Sequence, residues 1–364
     1  MFNFYQMKKY ILASFLCAIL CFIFFGIWVV SLLPSENEEL PNTKISQLDY
    51  VTRDVPDYRG KILAIVTSTK TMGDTDKKTG YELTELARAY YVFKANGFEI
   101  DIASPKGGKS PAVLDDEDMG AFDFAFLNDT IAQHKINNTL IIDRVDKAAY
   151  KGVFFVGGKG AMYDFPNNKS IQAIVEEYQA NDKVIGAVCH GPAALVNVTL
   201  DNGELFLKNR KVSAFTNEEE LLLIPDASTI FPFLLQDKLV SQGAFFNEGF
   251  MYLEKVSWDT NLITGQNPWS VWKVAETMIM QLGFTPKPRL ITSEEQAVRV
   301  LQRYKRNGMS SAKMMIKTIA LSKEEPVSRT LLVEHSAMSI LKGDLSSCFD
   351  YLNLASYANR FETN

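Results

Sequence analysis

Cysteine and histidine are scarce in this chain, four and three residues respectively in 364. Cys17 and Cys21 fall in one apolar run, and Cys189 and Cys348 stand far apart, so no disulfide framework is encoded. The histidines at 134, 190 and 335 are scattered, and none sits in a cluster with the spacing of a metal site. A phosphate loop is missing too, since Gly157-Gly158-Lys159-Gly160 lacks the P-loop spacing. Nor is positive charge in excess: the formal net charge is −5, which gives no reason to expect a nucleic-acid partner. Metal chemistry, nucleotide-phosphate chemistry and DNA or RNA recognition therefore find no support, and no cofactor is expected.

What remains is an ordinary folded composition, 47% hydrophobic and 22% charged, long enough for one large α/β domain with additions. From Tyr10 to Leu33 there are 24 residues without a charge, with Lys8 and Lys9 before them and Glu36, Glu38 and Glu39 after. As a helix this run is about 36 Å long, enough to cross a hydrocarbon core of about 30 Å. The positive flank places residues 1–9 in the cytoplasm and the body of the protein outside it. A cleaved signal peptide is the competing reading. Its apolar core is ordinarily about 7–15 residues and ends at an Ala-x-Ala-like site, whereas this run is longer and Ser31-Leu32-Leu33-Pro34-Ser35 is a poor site. The expectation is an uncleaved single-pass anchor over 10–33. Residues 34–58, punctuated by Pro34, Pro41 and Pro56, then read as a tether.

Beyond the tether, strand-like and helix-like segments alternate. Lys61–Thr69 is a continuous β-rich run of the kind buried on both faces of a parallel sheet. Tyr81–Ala95 reads as a helix, Glu99–Ser104 as a strand, Gly152–Val156 and Val184–Val188 as central strands, and Asn168–Ala180 as the helix between those two. The alternation predicts a doubly wound, mostly parallel sheet of flavodoxin-like type over 59–284. After Gly283, Pro286 and Pro288 break the chain, and Thr292-Ser293-Glu294-Glu295 opens a helix with a capping-box pattern. Residues 285–364 read as a helical extension carrying twelve Lys/Arg against eight Asp/Glu. Its basic face is either solvated or a surface for a partner or anionic lipid.

The richest stretch is Lys183-Val184-Ile185-Gly186-Ala187-Val188-Cys189-His190-Gly191-Pro192-Ala193-Ala194-Leu195. An apolar strand ends abruptly at Cys189, small residues lie two positions to either side, and a helix-forming run follows Pro192. That is the layout of a nucleophile elbow. A cysteine at a helix N-terminus meets the positive end of the dipole, which favours the thiolate. The plainer alternative is a buried structural cysteine. Gly157 and Gly158 end the preceding central strand, and their backbone N–H groups are candidate oxyanion donors, although a glycine turn often does no more than turn the chain.

Ala187-Val188-Cys189-His190-Gly191-Pro192 resembles the elbow of the ThiJ/PfpI (DJ-one) superfamily, whose fold is that of class I glutamine amidotransferase domains. Thr79-Gly80-Tyr81-Glu82-Leu83-Thr84-Glu85, Gly97–Gly108, Val156-Gly157-Gly158-Lys159-Gly160, Phe215–Glu220 and Thr264-Gly265-Gln266-Asn267-Pro268 resemble its other motifs in the same order. The resemblance covers about 58–284 and is greatest to the heat-shock chaperone/glyoxalase III branch. It implies that Glu85 reaches the cysteine as acid/base and that His190 is oriented by a downstream acid, for which Glu220 has the matching position. A surface Glu85 paired with Arg88 at i+3, and a solvated acidic run over Glu218–Glu220, are the alternatives. Lys159 departs from the branch, which often has histidine there, and this bears on substrate preference.

The resemblance implies a cofactor-independent enzyme that converts a 2-oxoaldehyde such as methylglyoxal to a 2-hydroxy acid, a glyoxalase III-like lyase, and is compatible with a homodimer. A cysteine peptidase or amidase using the same Cys-His pair, and a non-enzymatic chaperone or redox sensor, are the rival functions.

Overall fold

The computed structural model describes residues 4–35, 37–114, 119–322 and 324–361, without the side chains of 4–11 and 18. The expected cytoplasmic segment 1–9 thus lies partly outside the described residues. The chain forms two compact units, Met1–Asn37 with Leu290–Asn364, and Glu38–Arg289.

The smaller unit begins with helix α1 (Phe4–Val30). Within it Leu12–Val30 has a mean hydropathy of 2.6 and is buried nowhere, so it is long and apolar enough to cross a membrane.

The larger unit is built on a sheet that has seven strands among the described residues. In chain order these are β1 (Gly60–Ile65), β2 (Phe98–Ser104), β3 (Leu140–Ile141), β4 (Gly152–Phe155), β5 (Val184–Val188), β6 (Val256–Asp259) and β7 (Leu262–Gly265). Their spatial order is β6-β7-β5-β4-β1-β2-β3, and every pairing is parallel except the β6–β7 hairpin. The sheet is covered on both faces because its strands are apolar at odd and even positions alike. Ile62, Ala64, Phe154, Val184 and Val188 pack on one side with helices α2 (Leu83–Ala95) and α6 (Val271–Gln281). Leu63, Ile65, Val153, Phe155, Ile185 and Ala187 pack on the other with helix α4 (Lys169–Ala180). Two further helices complete the elements used below, α3 (Ala121–Asn128) and α5 (Asn217–Leu223).

Two expectations need correcting. The strand expected over Lys61–Thr69 stops at Ile65, and beyond it the Thr67 hydroxyl and the Ser68 N–H donate to Asp164 instead of to a neighbouring strand. Residues 38–58, expected as part of a tether, belong to the larger unit. Ile45–Gln47 and Asp49–Thr52 form short helical turns, and Leu48 and Val51, three apart and so on one face, enter the core beside α2.

The smaller unit resumes with α7 (Ser293–Ala320), opened by Thr292 and Glu295 in a capping box and broken at Gly308 (φ 78°). It continues with α8 (Arg329–Leu341) and α9 (Leu345–Asn359), an antiparallel hairpin.

Candidate active site

Four chain segments meet at the carboxyl ends of β4 and β5, where open α/β sheets form their sites. Cys189 comes directly after β5 and has φ of 58°, the strained left-handed conformation of a nucleophile elbow. Its amide donates to Gly265 O and its carbonyl accepts from Phe215 N, both at 3.0 Å, so neighbouring segments hold the turn in place. Gly191 is needed because a Cβ there would stand 2.2 Å from Phe155 O. The chain then makes a five-residue 3₁₀ turn, Gly191–Leu195, and not the α-helix expected after Pro192. Too few peptide dipoles align there to favour a thiolate strongly.

The side chains predicted from sequence converge. Cys189 Sγ lies 3.2 Å from Nδ1 of His190, and Nε2 of His190 lies 2.6 Å from Oε2 of Glu220. Consecutive residues ordinarily point apart, and the positive φ at Cys189 is what lets this pair meet. Glu220 stands in the first turn of α5, which Thr216 caps. Its two acidic neighbours go elsewhere. Glu218 is exposed, while Glu219 is buried and accepts from Thr216 N, Tyr252 N, Gln266 Nε2 and Asn267 Nδ2 at 2.7–3.0 Å. Glu219 thereby ties the acidic turn to the Gln266-Asn267 segment. The Thr216-x-x-Glu219 capping box was the signal for that structural part.

Glu85 occupies the first turn of α2 and is wholly buried, which removes the surface alternative. Arg88 bonds Asp123 of α3 at 3.0 Å. Oε2 of Glu85 accepts the Gly157 N–H at 2.7 Å, and its carboxyl touches the Cys189 thiol. A Cβ at Gly157 would come within 2.4 Å of that oxygen, so the glycine allows the approach. The expected role of Gly157 as an oxyanion donor is therefore corrected: its N–H is spent on Glu85. The N–H groups of Gly158 and His190, in the turns that follow β4 and β5, carry no hydrogen bond among the described residues.

Burial raises the pKa of Glu85 well above the ordinary carboxyl range, helped by the charge of Glu82. Burial likewise pushes the Cys189 thiol up, with Glu85 adding to it and Lys159 opposing. Burial and their mutual interaction thus favour the protonated form of both groups. This works against the thiolate expected from the helix dipole. Glu220 goes the other way. Although burial raises it, His190 and Lys159 outweigh that and hold it below the ordinary range. Glu82, which sequence reasoning did not single out, caps α2 by accepting from Glu85 N at 2.8 Å and from the Thr84 hydroxyl, and burial lifts its pKa to about 7. Phe215 lies over the His190 ring at 4.6 Å and excludes water from that side. The side chain of half-buried Lys159 makes no hydrogen bond or ion pair among the described residues. No cluster of metal-ligating side chains occurs among the described residues.

A doubly wound α/β unit with a Cys-His-Glu cluster on a strained elbow, and a buried acid against the thiol, defines a recognisable class. The chain belongs to the DJ-1/PfpI family, whose profile matches residues 77–281. Among its relatives, Glyoxalase 3 of Candida albicans is 31% identical over 234 residues, covering 60% of this chain and 96% of that protein. Glutathione-independent glyoxalase HSP31 of Saccharomyces cerevisiae is 30% identical over 236 residues, covering 59% and 94%. Among solved structures, the Rapid Encystment Protein 24 KDa of Francisella tularensis aligns with a TM-score of 0.58 at 35% identity, covering 61% of this chain and 99% of that one. The smaller unit lies outside the matched segment.

Proposed function

We propose that this protein is a cofactor-independent glyoxalase that converts a 2-oxoaldehyde such as methylglyoxal to the 2-hydroxy acid. The observation that carries the reading is the buried Glu85 carboxyl in contact with the Cys189 thiol. Simple acyl transfer by a Cys-His pair needs no second acid at the sulfur, whereas moving a proton between adjacent carbons does. Oε1 of Glu85, buried and without a hydrogen-bond partner, is the oxygen left for a reacting group. The glyoxalase names of the relatives support the same reading.

In this mechanism His190 Nδ1 takes the thiol proton, and Glu220 stabilises the resulting imidazolium. The sulfur adds to the aldehyde carbon, and the aldehyde oxygen takes the proton of Glu85, giving a hemithioacetal. The Gly158 and His190 N–H groups stabilise the oxygen while it is charged. Glu85, now a carboxylate, removes the hydrogen from that carbon, and the imidazolium protonates the neighbouring carbonyl oxygen to give an enediol. Glu85 returns its proton to the second carbon while the first hydroxyl loses its own to His190, leaving a thioester. Water, giving a proton to the Glu85 carboxylate, cleaves the thioester, and the imidazolium returns its proton to the leaving sulfur, releasing the hydroxy acid and the free thiol.

The test is turnover by the purified full chain on 2-oxoaldehydes, amides and peptides, with Cys189→Ala as control. Hydroxy-acid formation that vanishes in the control supports the reading. Amide or peptide cleavage would replace it with a hydrolase, and no Cys189-dependent turnover would leave a chaperone or redox sensor.

We infer further that the anchor expected over residues 10–33, whose helix ends at Val30, is an uncleaved span that holds the larger unit outside the cytoplasm. The support is the unburied apolar helix with Lys8 and Lys9 on one flank only. The full-length chain should stay in the membrane through alkaline carbonate washing. A shortened soluble product would show a cleaved signal instead.

A further inference from the structure

We propose that Lys159 selects the substrate by binding a carboxylate that the 2-oxoaldehyde carries beyond its keto carbon. This deepens the glyoxalase reading and rests on it for the identity of the reacting end. Lys159 belongs to the turn that leaves β4, and its neighbours fix that turn. Gly157 lies against the nucleophile: a Cβ on it would stand 2.9 Å from Cys189 Cβ. Gly158, at φ 96°, presses on the approach to α2, where a Cβ would meet Gly80 O at 2.5 Å and Glu82 N at 2.6 Å. Gly160 presses on the segment after β1, where a Cβ would meet Thr67 Cγ2 at 2.6 Å. Lys159 is therefore the one side chain in a run of glycines, on backbone wedged among three neighbouring segments beside the sulfur.

The carboxyls of the elements around this turn are engaged elsewhere. Glu220 takes His190 Nε2 at 2.6 Å, and Glu219 takes the donors of the Gln266-Asn267 segment. Glu82 takes Glu85 N and the Thr84 hydroxyl, while Glu85, whose burial favours the protonated form, takes Gly157 N. Asp164, at the end of the short helix Ala161–Asp164 that follows the turn, accepts from the Thr67 hydroxyl at 2.8 Å and from Ser68 N at 2.7 Å. Lys159 pairs with none of them. A half-buried ammonium left in this state keeps its charge for a group that arrives with the substrate.

The charge of Lys159 acts on both the Cys189 thiol and the Glu220 carboxyl. Those groups stand on different elements, the elbow after β5 and the first turn of α5, so a cation felt by both lies on the side of its turn that faces the reacting sulfur. The rings beside the imidazole are apolar, Phe215 at 4.6 Å and Phe231 at 6.4 Å, so a charged substituent held at the sulfur finds its complement at Lys159. A lone ammonium is a compact point charge, which matches the single charge of a carboxylate. Methylglyoxal ends in a methyl group and leaves that charge unused.

The experiment gives the purified full chain two 2-oxoaldehydes of similar length, 4,5-dioxopentanoate, which ends in a carboxylate, and neutral 2-oxohexanal. The readout is the ratio of their kcat/KM values, in which any effect of Lys159 on the thiol itself cancels. Wild type should favour the anion. Lys159→Met, which keeps the length of the stem, should lower the ratio about 10–100-fold, and Lys159→Arg should restore much of it. A ratio unchanged in Lys159→Met overturns the proposal. Absence of turnover on both aldehydes in wild type overturns the glyoxalase reading instead, and a second measurement then decides for Lys159. Cys189 is alkylated with iodoacetate and with iodoacetamide, and the two rates are followed by mass spectrometry of its peptide. An anion site beside the sulfur should make the iodoacetate-to-iodoacetamide ratio about tenfold higher in wild type than in Lys159→Met. Equal ratios in the two proteins overturn the site whatever the reaction.

Discussion

Replacing Glu82 by Gln tests how the buried acids are coupled. Burial raises Glu82 from an ordinary value of 4.5 to about 7. A one-unit change in pKa is worth about 1.4 kcal/mol, so that rise amounts to about 3 kcal/mol. The folded-state value is the higher one, so the stabilisation is fully present below about pH 4.5 and is lost as the pH climbs through about 7. Gln keeps an oxygen for the Glu85 N–H and the Thr84 hydroxyl but cannot ionise. Its stability should therefore not fall over that window on account of residue 82. The variant's stability relative to wild type should improve by about 3 kcal/mol between pH 4.5 and 8. Urea unfolding of both proteins across that range, followed by near-ultraviolet circular dichroism, measures the difference. The same change removes a charge that raises Glu85, so the ionisation controlling turnover should move to lower pH. A stability difference that stays constant with pH, together with an unmoved rate profile, would refute the coupling.

Glu85→Gln should lose about 10²–10⁴-fold in turnover, the usual worth of a positioned acid/base, while Glu220→Gln loses less because it acts through His190; equal mild losses would make both carboxylates structural. Gly157→Ala places a Cβ 2.4 Å from Glu85 Oε2 and 2.7 Å from Val188 O, and should cost about 10²-fold in turnover by displacing the acid; wild-type rates would show that Glu85 needs no such fixed place. Cys189, 4% exposed and with its thiol pushed up, should alkylate with iodoacetamide at pH 7 more slowly than a free thiol of pKa about 8.5; fast reaction below pH 7 would restore the thiolate reading.

Much of the fold was legible because a doubly wound sheet writes itself locally. Strands buried on both faces read as unbroken apolar runs, and each of Val184–Val188 and Gly152–Phe155 appears as such. The end of the first strand was not legible, since Val66 and Thr67 are as β-prone as what precedes them and the partner that takes over there, Asp164, is remote in sequence. The 38–58 segment misled because its prolines and polar residues outweighed two apolar residues, Leu48 and Val51. Three-residue spacing in so short a stretch carries little periodic signal.

The candidate site divides along the same line. The convergence of Cys189, His190, Glu85 and Glu220 was legible through the elbow pattern for the first two and through the family resemblance for the two glutamates. Their protonation was not. The dipole argument treated Cys189 as the head of a helix, but the turn is a short 3₁₀ segment and the larger influence is long-range: burial by α2, β4 and β5, with Glu85 and Glu82 brought in from a hundred residues earlier. Likewise, Glu218, Glu219 and Glu220 are three identical letters that a helix sends in three directions, about 100° apart. One faces water, one staples Gln266 and Asn267 to the turn, and one reaches His190. Exchanging the roles of Glu219 and Glu220 would need a rotation of α5 that the Thr216 cap forbids, so the single-residue offset from the cap is what selects the acid that meets the imidazole.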